Sequence, residues 1–192
     1  MDNLAYSDPP VTELIEGKTY LMSPRPMVGH TRVASRIYCI FDNYLQGKPC
    51  IAFNDGIDVY LDDKNHYVPD AMIVCDRSII HRDAIYGAPD LVVEVLSPST
   101  MKHDRGPKME HYAAAGVKEY WLVAPFEKTI EVYLNRDGRF QLDNIYVELP
   151  DWELARMTEE ERDDVPTVVK VSLYEDLFVD IKDVFEDIDL FR

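Results

Sequence analysis

The chain has no run approaching the roughly 20 consecutive apolar residues that a membrane span needs. Its opening MDNLAYSDPP holds neither the basic start nor the apolar stretch of a secretory leader. These absences point to a soluble, cytoplasmic protein with no membrane partner. Cysteine is scarce as well. The three cysteines, Cys39, Cys50 and Cys75, are odd in number, widely spaced and set among apolar residues, which argues against a metal cluster or a disulfide framework and reads as buried thiols. Positive charge is also in short supply: 36 acids face 20 lysines and arginines, a formal net charge of −16, and such a balance repels nucleic acid over the molecule as a whole. Internal repeats and low-complexity blocks are missing too.

What remains is enough to build a core. With 192 residues, 46% of them hydrophobic, and 12 tyrosines, the chain reads as one domain spanning 1–192. Its acidity is uneven. Residues 151–192 carry 14 acids and 5 bases, an acidic C-terminal region, whereas between Met101 and Lys118 the bases Lys102, Arg105, Lys108 and Lys118, with His103 and His111, face only Asp104 and Glu110. That segment is either a solvated helix face or a basic track for phosphates.

The element order reads as α+β. GKTYLMSP (17–24) is a strand stopped by Pro24 and Pro26. Val33, Ile37, Ile40, Phe41 and Tyr44 recur at helical spacing between Met27 and Leu45, with Gly47 as the stop. Two strands follow near 57–61 and 67–75, turned at DDKN, and then a loop or short helix through Tyr86. PDLVVEVLSPST (89–100) is a buried strand. The next helix begins as late as Arg105, because Gly106 and Pro107 disturb its first turns, and stops at Gly116. KEYWLVAP is a strand, TIEVYLNRDGRFQL a hairpin turned at Asp137-Gly138, and the acidic stretch 152–164 a surface segment with some helix. The chain closes with a strand and a short amphipathic segment. This order predicts a mixed β-sheet flanked by helices.

Glu94 is the anomaly, a carboxylate in the middle of an apolar strand. Alternation puts Asp90, Val92, Glu94 and Leu96 on one face and Leu91, Val93 and Val95 on the other. An uncompensated ionised glutamate there is costly, so it must be paired, metal-bound or protonated. Asp90 lies about 13 Å away along the strand, at roughly 3.3 Å per residue, too far to share one ion, and reads as a strand-entry or capping residue. Asp70, in YVPDAMIV, sits in a second apolar strand. Neighbouring strands lie about 4.8 Å apart, close enough for Asp70 and Glu94 to converge on one cation, and oxygen ligands without a Cys/His cluster favour Mg²⁺ or Mn²⁺. The bland alternative pairs each carboxylate with a buried lysine or arginine.

VPDAMIV, PDLVVEVLSPST, DRGPKMEHYAAAGVKEYWLVAP, the opening ELIEGKTYLMSP followed by His30, and the closing SLYEDLFVDIKDVF together resemble the Uma-type restriction endonuclease family, within the PD-(D/E)XK nuclease superfamily. The likeness covers nearly the whole chain. It implies a restriction endonuclease-like mixed β-sheet core flanked by helices and metal-dependent hydrolysis of phosphodiester bonds, with DNA as the nucleic-acid partner. By that resemblance Asp70 is the motif aspartate, Glu94 the acidic member of (D/E)XK, and Val95 the residue whose backbone carbonyl completes the shell of an Mg²⁺ or Mn²⁺ cofactor. Leu96 stands where the plain pattern has lysine. Lys108, on the following helix, is the implied replacement, with Lys102 as competitor. A basic group there steadies the attacking water or the charge of the phosphorane.

His30 is a further candidate for the site or else a helix-start cap. Tyr112 reads as core packing with its hydroxyl near the pocket, and Asp104 as a residue that caps or orients the helix. Relatives' habits also imply a homodimer. The missing in-strand lysine and the negative charge keep a different class open, a non-cleaving module that binds nucleic acid or a protein. Its basic track would run through Lys102–Lys118 with Arg32 and Arg36.

Overall fold

The structure, a computed structural model, describes residues 12–22 and 26–191. The first ten residues and the strand stop expected at Pro24 lie outside the described residues. Strands β1 (Thr12–Ile15) and β2 (Lys18–Leu21) precede helix α1 (Val28–Leu45), β3 (Ile51–Asn54), β4 (Val59–Asp62), β5 (Asn65–Tyr67), β6 (Ala71–Val74) and β7 (Ile85–Tyr86). Then come β8 (Leu91–Val95), α2 (Met101–Asp104), α3 (Pro107–Ala115), β9 (Glu119–Ala124), β10 (Thr129–Arg136) and β11 (Arg139–Val147). The C-terminal region adds α4 (Asp151–Leu154), α5 (Glu159–Asp163), β12 (Val168–Lys170), β13 (Phe178–Asp180) and α6 (Ile181–Phe185).

A six-stranded central sheet runs in the order β11-β10-β9-β8-β6-β3. It is mixed: β8 and β9 are parallel while their neighbours pair antiparallel. Parallel neighbours need a crossover connection, and α2 and α3 supply it, so the chain after β8 is carried over one face of the sheet. A smaller sheet, β2-β1-β5-β4-β7, packs on that same face. There Ile15, Val59, Tyr67, Ile85 and Tyr112 meet Met72, Val74, Val92, Tyr120 and Leu122.

The opposite face is covered by α1, whose Val33, Ile37, Phe41 and Leu45 recur every fourth residue against Leu91, Val93, Val95 and Trp121. Beside α1 lies the C-terminal region, with Val169, Val179, Ile181, Val184 and Phe185 buried. At about 1.5–3 kcal/mol for each fully buried large apolar side chain, this acidic region is a structural cover of the sheet as well as a charged surface.

α1, β8, β9 and the β10–β11 hairpin form where the sequence predicts them. The Asp137-Gly138 turn has positive φ at both residues, 54° and 80°, as a two-residue hairpin turn of this type demands. Three differences matter. The single strand expected at 17–24 is the second arm of a hairpin turned at Glu16-Gly17, so β1 is an additional strand. The strand expected near 67–75 is two strands, β5 in the small sheet and β6 in the central one, broken at Val68-Pro69-Asp70. Pro69 lacks a backbone N–H and biases its predecessor to extended backbone, and there the chain passes from one sheet to the other.

The third difference concerns cysteine. Cys50 and Cys75 form a disulfide and Cys39 is exposed, against the expectation of three buried thiols. The β3–β6 register pairs Ile51 with Val74, so the next step outward sets Cys50 opposite Cys75. Sequence spacing carries no trace of that pairing.

Candidate active site

β6 and β8 pair as Ala71↔Val93, Met72↔Val92 and Ile73↔Leu91. One step beyond this register Asp70 stands opposite Glu94. Residues opposite one another on neighbouring strands share a face, here the face on which α3 lies. Asp70 Oδ2 accepts the Val95 N–H at 2.6 Å, replacing the backbone acceptor that β6 no longer offers once the chain turns away at Pro69. The tip of Asp70 is thereby held against the end of β8.

Glu94 is 3% exposed. Its Oε1 accepts the Tyr112 hydroxyl at 3.1 Å and lies 2.9 Å from Lys108 Nζ. Lys108 follows Pro107 in the first turn of α3 and is 1% exposed. Its ammonium also lies 2.9 Å from Glu13 Oε1 and 3.2 Å from Asp104 Oδ1, and 5.5 Å above the centre of the Tyr67 ring. The Asp104 contact is an ion pair without hydrogen-bond alignment, since Oδ1 finds no hydrogen-bond partner.

One ammonium thus faces three buried carboxylates, and the imbalance shows in the proton affinities. Burial pushes Glu94 well above the usual carboxylate value, Lys108 opposes, and Asp104, Asp70 and Glu13 add repulsion. Asp104 is likewise raised by burial against Lys108 and its Thr100 hydrogen bond. For Lys108 burial works against the charge, but Glu94, Asp104 and Glu13 outweigh it and hold the ammonium well above the ordinary lysine value. The pocket is short of positive charge.

His30, in the first turn of α1, brings Nε2 to 3.4 Å from Asp70 Oδ2, while its Nδ1 is buried without a hydrogen-bond partner. Burial lowers its proton affinity, yet the Asp70 hydrogen bond and charge, the Val95 backbone and Asp55 together raise it above the usual histidine value. The imidazole therefore sits beside Asp70 and Val95, two of the three residues expected to ligate a metal.

The expected residues gather in two adjoining groups: Asp70, Val95 and His30 at the strand ends, and Glu94, Lys108, Tyr112 and Asp104 beneath α3. Asp104 belongs to the charge cluster rather than serving only to cap a helix. Asp90 anchors the strand entry, accepting from Cys75 N–H and Lys118 Nζ, each at 2.7 Å. Lys102 stays apart, exposed on α2. Glu13 was missed. It lies in a four-residue strand, and the one available signal was an acid two residues from Ile15, on the same face of TELI.

The basic track is largely spent on acids. Arg105 makes a bidentate pair with Glu131 at 2.7 and 2.6 Å, Lys118 pairs with Asp90, and Arg32 and Arg36 pair with Asp187 and Glu186. Among the described residues no group of three or more His, Cys, Asp or Glu side chains is arranged to hold a metal ion. The expected donor set has two carboxylates and one carbonyl, below that count, and its surplus negative charge suits a divalent cation.

Residues 3–163 match Uma2, described as "Putative restriction endonuclease". An uncharacterized protein of Synechocystis sp. is 32% identical over 135 residues, covering 69% of this chain and 70% of that protein. The crystal structure of a "putative nuclease belonging to DUF820" from Anabaena variabilis superposes with a TM-score of 0.70 at 23% identity, covering 93% of this chain and 92% of that one. This last likeness speaks for the fold. No helix among the described residues is long and apolar enough to cross a membrane.

Proposed function

The chain belongs to the Uma2 family, described as "Putative restriction endonuclease", and from that membership we propose that it is a metal-dependent endonuclease hydrolysing phosphodiester bonds of DNA. Asp70, Glu94 and the Val95 carbonyl would hold Mg²⁺ or Mn²⁺, and Lys108 is the basic group of the site. The observation that carries this reading is the surplus of buried carboxylate around Lys108, one member of which, Glu94, lies one step beyond the paired residues of β6 and β8 on the side of Asp70. Perturbed acids and bases gathered at one strand end are what a functional site and some structural ion-pair networks share; what supports the site here is that three acids meet one base, where a purely structural pair would need one acid for one base.

When bound, a divalent cation supplies Lewis-acid polarisation of the phosphate and a coordinated water of lowered pKa. The chain's own residues prepare the place. Asp70 is aimed by its bond to Val95 N–H. Tyr112 and Lys108 both act on Glu94 Oε1, which fixes the rotamer of that carboxylate. Lys108, kept charged by its neighbours, contributes a fixed positive potential for the charge that grows on the phosphorane. His30 borders Asp70 on the α1 side and limits which waters and phosphate oxygens reach it.

The test is cleavage of supercoiled, linear and single-stranded DNA by purified protein with Mg²⁺ or Mn²⁺, beside Glu94→Ala. Cleavage equal in the variant removes Glu94 from the chemistry. A second reading, a nuclease-fold module that binds without cleaving, is favoured by the pairing of Arg32, Arg36, Arg105 and Lys118 with acids, which leaves few phosphate contacts. Calorimetric titration with Mn²⁺ separates the two: binding that Asp70→Ala abolishes supports the nuclease, and no binding supports the module.

A further inference from the structure

We propose that Glu13 is a positioning residue of this site, one carboxylate oxygen that ties the turn carrying Asp70 to the lysine delivered by α3; the inference rests on the nuclease reading above. Glu13 Oε1 accepts the Val68 N–H at 3.2 Å and lies 2.9 Å from Lys108 Nζ. The two partners belong to separate parts of the fold, the β5–β6 turn and the crossover helix. Glu13 itself comes from β1 of the small sheet, where it and Ile15 point inward and are 4% and 3% exposed. Three independent pieces of backbone therefore meet at one atom.

Two features argue for positioning over simple charge balance. Lys108 already has Glu94 and Asp104 as counter-ions, so a third carboxylate adds repulsion to a pocket whose other acids are already pushed toward the protonated form. If the lysine needed only neutralising, Glu13 would be a net cost. The Val68 N–H is also the last backbone donor before Asp70, because Pro69 has none. Holding it fixes the chain two residues upstream of Asp70, while the Val95 N–H fixes the Asp70 carboxylate itself. The small sheet, which contributes no expected metal ligand, acts on both halves of the site through this one side chain.

The experiment uses the full chain, ¹⁵N-labelled, as wild type, Glu13→Gln and Glu13→Ala. In Glu13→Gln the Val68 amide proton should move upfield, as a charged acceptor becomes neutral. The Lys108 ammonium should exchange faster with water, and amides of β9 and β10 should stay in place, which separates lost positioning from lost fold. Mn²⁺-dependent cleavage should fall about 10- to 100-fold in kcat, with KM for DNA within about twofold, the pattern of a misplaced group rather than of lost substrate binding. Glu13→Ala, if it folds, should show the same changes enlarged. Unmoved Val68 and Lys108 signals overturn the proposal, as does wild-type kcat in Glu13→Gln with those signals displaced. A wild type that cleaves no DNA with Mn²⁺ overturns the nuclease reading and the catalytic part of this proposal together. That failure is distinguishable because the two signals report the tie without turnover.

Discussion

Glu94 and Glu119 sit on the adjacent parallel strands β8 and β9, 3% and 0% exposed, and they meet the cost of burial in opposite ways. Glu119 faces the α1 side of the central sheet and is satisfied by neutral donors, the Trp121 indole N–H at 2.6 Å and the Ser172 N–H at 2.7 Å. It clasps the C-terminal region to the sheet, with no ion-pair partner among the described residues. Glu94 faces α3 and shares one lysine with two other acids. A closed set of neutral hydrogen bonds is how a buried carboxylate serves structure, whereas the unbalanced charge cluster at the end of β8 is what the nuclease proposal rests on. The comparison teaches that burial of an acid is uninformative until its partners are counted.

The sharpest way to break the contrast is Glu94→Gln. Cleavage should fall about 1000-fold or more, equivalent to about 4 kcal/mol of transition-state stabilisation. Removing one of three crowded acids should meanwhile leave the thermal midpoint unchanged or higher. A variant that loses activity only because it unfolds would erase the distinction from Glu119. Next in size is Lys108→Met, which strands three buried carboxylates and should cost about 3–5 kcal/mol in urea unfolding. Adding Asp104→Asn to Lys108→Met should return part of that loss, and no recovery would mean the cluster is not electrostatically coupled.

Glu119→Gln keeps the shape but swaps one acceptor oxygen for an amide NH₂. The Trp121 and Ser172 donors need both oxygens, so one bond is lost, at about 1–3 kcal/mol. The loss should appear first as faster hydrogen exchange in β12 and β13, because Ser172 joins that region to β9. Cleavage per folded molecule should not change, and a selective loss of kcat would mean the clasp side also shapes the site.

The same two glutamates show what is legible in sequence. Glu94 stands out because LVVEV is apolar on both sides of the charge, and Asp70 because it sits within the apolar YVPDAMIV. The helix bearing Lys108 is announced by its Gly116 stop and by Met109, Tyr112 and Ala113. Glu119 passes unnoticed at the head of EYWLVA, since a strand's first residue is so often at the surface. Its partner Ser172 lies 53 residues away, and a hydrogen bond between distant segments has no local signature. The same holds for the Cys50–Cys75 link, which depends on the β3–β6 register, and for Glu13, whose partners come from two other elements. The break at Pro69 was hidden because Tyr67-Val68 before it and Ala71–Cys75 after it are both apolar, and membership of two different sheets leaves that strand pattern in place. The pairing of Arg32 and Arg36 with Asp187 and Glu186 likewise arises only when the C-terminal region folds back on α1. Local pattern picked out Asp70, Glu94 and Lys108 as candidates, and tertiary contacts decided the charge balance around them.

The smallest expected effect concerns pH and tests the reading of Glu119 itself. Burial raises its proton affinity, while the Ser172 and Trp121 hydrogen bonds work to lower it, and the balance lies above the usual carboxylate value. A carboxyl whose pKa is higher folded than unfolded binds its proton more tightly in the folded state. Its contribution favours folding at and below the ordinary carboxylate value and is lost as pH rises through the raised folded one. Glutamine at 119 cannot titrate. The urea midpoint of wild type relative to Glu119→Gln should therefore shift in favour of wild type as pH is lowered from 7 toward the ordinary carboxylate value, by a fraction of the loss seen at neutral pH. Other titrating groups are common to both proteins and cancel in the difference. A relative shift toward the variant on acidification would mean that the hydrogen bonds outweigh desolvation and that Glu119 is held ionised. In that case neutral donors alone can carry a buried charge here, and Glu119 would differ in protonation, as well as in partners, from Glu94 and Asp104, which burial pushes toward the protonated form.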